Sequence, residues 1–127
     1  MHIEYLNEGS EDCPLIRLYG DEPDAIALLK DKIVSLSNGS AHSILLNNLR
    51  GFHAINQCQL VLRTGSASIG VVNIMGNHFE CVLSQQGWSN VCDLLAPLCQ
   101  SREWGYQWID VTGKISLLVS RYEDGQW

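Results

Sequence analysis

The residues of this 127-residue chain that could do chemistry on their own are five cysteines, four histidines and one glycine-spaced segment. A cysteine nucleophile has to be a thiolate, which requires an exposed position near a base or a helix N-terminus. The phases of Cys58, Cys81, Cys92 and Cys99 argue against that. Cys58 alternates in step with Leu60 and Leu62, and Cys81 with Phe79 and Leu83. Cys92 and Cys99 fall on one apolar stripe at helical period. Sulfurs in those positions are expected to fill a core as small hydrophobes. Cys13 stands apart between Asp12 and Pro14, where a neighbouring carboxylate disfavours the thiolate. An odd count with no Cys-x-x-Cys pair suits reduced thiols rather than a disulfide framework.

His2, His42, His53 and His78 are dispersed, with no His-x-His or His-x-x-x-His pair. His78 and Cys81, three apart on an expected strand, point to opposite faces and cannot share a metal. No metal or other cofactor is therefore expected. Gly65 to Gly70 has the outer spacing of a phosphate loop, but Val71 and Val72 stand where Lys and Ser/Thr are required. The segment reads as a small-residue turn. The chain also lacks Gly-x-Ser-x-Gly, His-Glu-x-x-His and Gly-x-Gly-x-x-Gly.

Any site must then be positioned by the elements as a whole. Residues 2–6 and 14–19 read as short strands around a polar loop at 7–13. Ile26, Leu29, Ile33 and Leu36 recur at helical period, with Asp21 or Glu22 as cap, Pro23 in the first turn and Asn38-Gly39 as the stop. From residue 42 the period becomes two. Residues 42–46, 57–63, 69–74 and 78–84 are strand candidates, the last two joined as a hairpin around Gly76-Asn77. A second helix is expected from Gln85, capped by Ser84, with Trp88, Val91, Cys92, Leu95 and Leu98 on its stripe and Pro97 kinking or ending it. Residues 106–111 and 115–121 read as a final hairpin, and no internal repeat is visible. Hairpin-length connections predict an α+β fold, a mainly antiparallel sheet of about six to eight strands with two amphipathic helices packed on it. Residues 1–127 are expected to form a single globular domain.

Charge and aromatic residues are both unevenly placed. The formal charge is −6. Residues 1–24 hold Glu4, Glu8, Glu11, Asp12, Asp21, Glu22 and Asp24 against Arg17 alone, while acids and bases balance over the remainder. Such a field repels nucleic-acid phosphates, so no nucleic-acid partner is expected. No apolar run reaches the roughly 20 residues of a membrane helix, and the N-terminus lacks a secretory signal pattern, which predicts a cytoplasmic protein without a membrane partner. Of ten aromatic residues, Trp104, Tyr106, Trp108, Tyr122 and Trp127 lie in the last 24. Trp104, Tyr106 and Trp108 alternate onto one face of an extended segment, with Ile109 and Val111 in the other phase.

These features predict a protein-binding module that acts by occupying a partner, in the manner of an inhibitor or a toxin-neutralising immunity protein. The acids Glu8, Glu11, Asp12, Asp21, Glu22 and Asp24 would steer a basic partner, and Trp104, Tyr106, Trp108 and Trp127 would anchor it. A small enzyme or ligand-binding domain is the alternative, with His53, His78, Glu80 and Asp110 as polar candidates at the sheet–helix junction. A homodimeric subunit joined through a sheet edge is a third reading.

Overall fold

Each helix forms where an apolar stripe meets a start signal. Helix α1 (Pro23–Ser37) has proline in its first turn, where a missing N–H leaves no bond unmade. It buries Ile26, Leu29, Ile33 and Leu36. It ends where the Asn38 N–H closes onto the Val34 carbonyl and Gly39 takes a φ of +81°. Glu22 occupies the cap position, but neither it nor Asp21 caps with its side chain, because both carboxylates are held by cations elsewhere. Helix α2 (Gln85–Gln100) follows Ser84, whose hydroxyl accepts the Gly87 N–H at 3.0 Å. It buries Trp88, Val91, Leu95 and Leu98 and runs through Pro97 to Gln100. A proline so near the C-terminus forfeits a single intrahelical bond, and the helix continues past it.

The computed structural model describes residues 1–100 and 105–121. Among these, the helices accompany nine strands: β1 (His2–Leu6), β2 (Leu15–Tyr19), β3 (Ser43–Leu45), β4 (His53–Ala54), β5 (Gln59–Thr64), β6 (Gly70–Met75), β7 (His78–Leu83), β8 (Tyr106–Asp110) and β9 (Ser116–Ser120). The class is α+β, but the expected single, mainly antiparallel sheet is replaced by two mixed sheets, ordered β4-β1-β2-β9-β8 and β3-β5-β7-β6. Neighbouring strands pair antiparallel as hairpins, while the inner strands of different hairpins meet parallel, β2 with β9 and β5 with β7. Period-two alternation marks a strand as half-buried without saying which strand lies beside it.

The order hairpin, helix, hairpin occurs twice, as β1-β2-α1-β3-β5 and β6-β7-α2-β8-β9. In each half the two hairpins go to different sheets, so each sheet combines one hairpin from either half. In each half, too, the connection inside the second hairpin reaches back to the first strand. The strand β4 lies beside β1, and Ile115 bridges to Val71 of β6. The halves therefore share a topology although they share no residue pattern.

One contiguous core lies between the sheets and the helices. It takes Ile3, Ile16, Leu18, Leu117 and Val119 from the first sheet, Leu60, Leu62, Phe79 and Cys81 from the second, and the apolar stripes of α1 and α2. No helix among the described residues is long and apolar enough to cross a membrane.

Candidate interaction surface

Three of the seven N-terminal acids are held within the fold. Glu4 accepts from Arg17 at 2.7 Å, Asp21 accepts from the buried Arg121 guanidinium at 2.7 Å, and Glu22 accepts from the Met1 amine at 2.7 Å. That last contact, more than the opposing effect of burial, holds the Glu22 carboxyl below its usual range, with the charges of the N-terminus, His53 and His2 adding to it. Glu8, Glu11 and Asp12, in the connection between β1 and β2, are exposed and have no ion pair among the described residues. Asp24 is likewise exposed, near the start of α1.

Antiparallel pairing of β1 with β2 puts loop 7–14 at one end of the five-stranded sheet and Met1, Asp21 and Glu22 at the other, with about 13 Å of paired strand between them. At the Met1 end one row crosses all five strands in register: His53, His2, Tyr19, Ser120 and Tyr106. The His2 ring lies 4.9 Å from Tyr19 and 6.1 Å from His53, and the Arg17 guanidinium sits 3.9 Å over the Tyr19 ring. The Nδ1 atom of His2 is buried with no hydrogen-bond partner. Tyr106 is 47% exposed, and Trp108, in register with Leu118, shares its face. The fold therefore places Tyr106 near Asp21 and Glu22 and away from Glu8, Glu11 and Asp12. Trp104 and Trp127 lie outside the described residues.

A bulge decides what the other end of β8 presents. The register shifts between Trp108, opposite Leu118, and Asp110, opposite Leu117. Two residues then face one, so Ile109 and Asp110 are both buried, while Val111, expected in phase with Ile109, is 66% exposed. Asp110 lines a cleft of about 220 Å³ together with Ser68, Gly87, Asn90, Leu94 and Thr112. Its carboxylate accepts from the Thr112 N–H at 3.2 Å and the Thr112 hydroxyl at 2.6 Å. Gly70, at φ +84°, leaves the space this needs, since a Cβ there would come within 2.7 Å of Asp110 Oδ2. Across the cleft, the Ser68 hydroxyl accepts the Ser84 N–H at 3.0 Å. The matching corner of the first half, at the start of α1, is a surface cleft of about 450 Å³ lined by Glu22, Asp24, Ala25, Leu28, Arg50 and Gly51.

The other polar candidates are not brought together. His53 sits on the edge strand β4 beside His2. His78 and Glu80 are on β7 in the second sheet, with Glu80 3.1 Å from Arg63, and only Asp110 lines a cleft with helix α2. Burial pushes the Cys58 thiol up to about 11, with Glu4 adding to it, and raises Cys81 further, with Asp110 contributing. Cys92 and Cys99 are half-buried and also raised by burial, against an opposing effect of Lys30. Cys13 lies 3.6 Å from the Ser10 hydroxyl. Among the described residues no three His, Cys, Asp or Glu side chains converge on one point.

Sequence reasoning missed the His2–Tyr19 row, which follows from the register of β1 on β2. It also missed the burial of Asp110, for which simple alternation carries no signal. No family model matches the chain, and neither the curated proteins nor the solved structures include a significant match to it.

Proposed function

We propose that the chain is a non-catalytic protein-binding module, of the inhibitor or toxin-neutralising immunity type, that occludes a basic partner in the cytoplasm. The observation that carries this reading is the end of the five-stranded sheet where Glu8, Glu11 and Asp12 stand exposed with no ion pair among the described residues, the same end at which the exposed Val111 follows β8. Unpaired surface carboxylates on one end of a molecule speed the capture of a cationic protein, and an apolar group beside them can be desolvated on contact. Asp21, Glu22 and Asp24, with Tyr106 and Trp108 at the other end, would form a second contact region.

The test is to isolate the protein's partner from its native host and to follow association by stopped flow as salt is varied. Replacing Glu8, Glu11 and Asp12 together by Ser should slow association about tenfold at low salt and flatten its salt dependence, while unfolding is unchanged. A non-basic partner, or an association rate indifferent to the triple replacement, would refute the reading. A homodimer joined edge to edge is a second reading. It draws on Ile74 and Met75, both exposed on the edge strand β6, and a concentration-dependent doubling of the 14.2 kDa mass would favour it.

A further inference from the structure

We infer that the cleft over Asp110 receives one cationic side chain, a lysine or an arginine, of the basic partner. The inference rests on the partner-binding reading above and names the contact at its centre. Asp110 is 7% exposed, yet both of its hydrogen bonds come from the neutral donors of Thr112, and no described residue forms an ion pair with it. A carboxylate taken out of water without a counter-charge gains most when a cation with several N–H donors is seated against it. Lysine and arginine heads carry donors only. The lining supplies acceptors for them in Asp110, Thr112 and Ser68, with Leu94 and Ile109 along the path of an aliphatic stem.

Size and surroundings narrow the occupant further. At about 220 Å³ the cleft falls below the roughly 300–1,000 Å³ of small-molecule sites and suits the end of one long side chain. An anion would meet the Asp110 carboxylate, and at the start of α2 the Gly87 N–H is already given to the Ser84 hydroxyl. The cleft also lies at the acidic end of the sheet. Asp110 is in register with Leu117 and Leu117 with Ile16, while the Ser116 N–H donates to the Pro14 carbonyl that closes the loop of Glu8, Glu11 and Asp12. Val111, 66% exposed, and Ile69, 50% exposed, adjoin the cleft in the chain. A recessed charge beside exposed apolar groups, within an acidic field, is the arrangement that takes a basic anchor and excludes water around it.

The test titrates the isotope-labelled full chain with Nα-acetyl-arginine methylamide and Nα-acetyl-lysine methylamide, using the neutral citrulline derivative as control. Saturable binding on the order of 1 mM is expected, with amide shifts at Gly87, Asn90 and Thr112. The citrulline derivative and the Asp110→Asn variant should give no such shifts, whereas the triple Ser variant of Glu8, Glu11 and Asp12 should keep them. Should Asp110→Asn fail to fold, Asn90→Trp fills the mouth from an exposed helix position with the carboxylate intact, and it must abolish the shifts too. Equal binding of citrulline, or wild-type binding by both variants, overturns the inference. Against the purified partner, Asp110→Asn should weaken affinity about 30-fold or more, mainly through faster dissociation. A basic partner held equally well by Asp110→Asn removes the cleft inference and leaves the partner reading. Cationic probes seated over Asp110 with no basic protein bound do the reverse.

Discussion

Replacing Trp88 by Phe shrinks a fully buried ring and removes its N–H donor. Trp88 is fully buried and borders, with Leu18, Leu117, Val119 and Ile109 of one sheet, Leu62 of the other and Leu29, Ile33 and Leu95 of the helices, an internal void of about 10 Å³. Its Nε1–H donates to the Arg63 carbonyl at 3.1 Å. The volume lost, about 40 Å³, costs about 1 kcal/mol if the surrounding side chains do not collapse. Leaving the Arg63 carbonyl without this donor adds about 1–2 kcal/mol. The expected loss is therefore about 2–3 kcal/mol for Trp88→Phe, against about 3–5 kcal/mol for Trp88→Ala. Urea unfolding followed by far-ultraviolet circular dichroism measures it. With a slope of about 1–3 kcal/mol/M, the midpoint should fall by about 0.7–3 M and the slope should stay the same. A loss below about 1 kcal/mol would refute the reasoning, since Trp88 could then neither fill the junction nor donate to Arg63.

Two further perturbations address the corners at the helix starts. Gly70→Ala places a Cβ 2.7 Å from Asp110 Oδ2 and 2.8 Å from the Gly113 nitrogen at φ +84°, and should cost at least about 2 kcal/mol in the same assay. A near-neutral effect would contradict the turn that buries Asp110. The Glu22 carboxyl, lowered from the usual 4.5 chiefly by the Met1 amine, contributes stability that is present above that value and lost as pH falls through the folded-state value. The stability gap between the wild type and Glu22→Gln should therefore be full near neutrality and close in acid. Parallel pH profiles would show that the contact contributes nothing, an outcome its half-exposed side chain makes worth measuring.

Local signals in the sequence were good guides to local structure. The stripe from Ile26 to Leu36, the Ser84 cap, the hairpin around Gly76-Asn77 and the shared face of Phe79, Cys81 and Leu83 all follow from spacing and are all present. What depended on long-range pairing was not legible. Strand β4 is two residues long and exists because His53 and Ala54 lie against β1. The parallel seams β2–β9 and β5–β7 join strands that no turn connects. At the candidate surface, alternation correctly put Tyr106 and Trp108 together, but it gave Val111 to the wrong face because a bulge resets the phase of β8. The acid-rich first stretch was readable as charge. That Glu4, Asp21 and Glu22 are spoken for depends on Arg17, on Arg121 and on the chain's own amine.

The exchange of hairpins between the two halves also sets a schedule for synthesis. All four strands of the second sheet lie at or before Leu83, so they can pair while the remainder is still being translated. The first hairpin cannot: its inner strand waits for β9, and the Asp21–Arg121 pair that fastens this seam spans 100 residues. At ribosomal rates of roughly 5–20 residues per second, the nascent β2 stands with an open edge for roughly 5–20 s. Until β9 emerges, that edge is open to pairing with the same strand of neighbouring chains on the message.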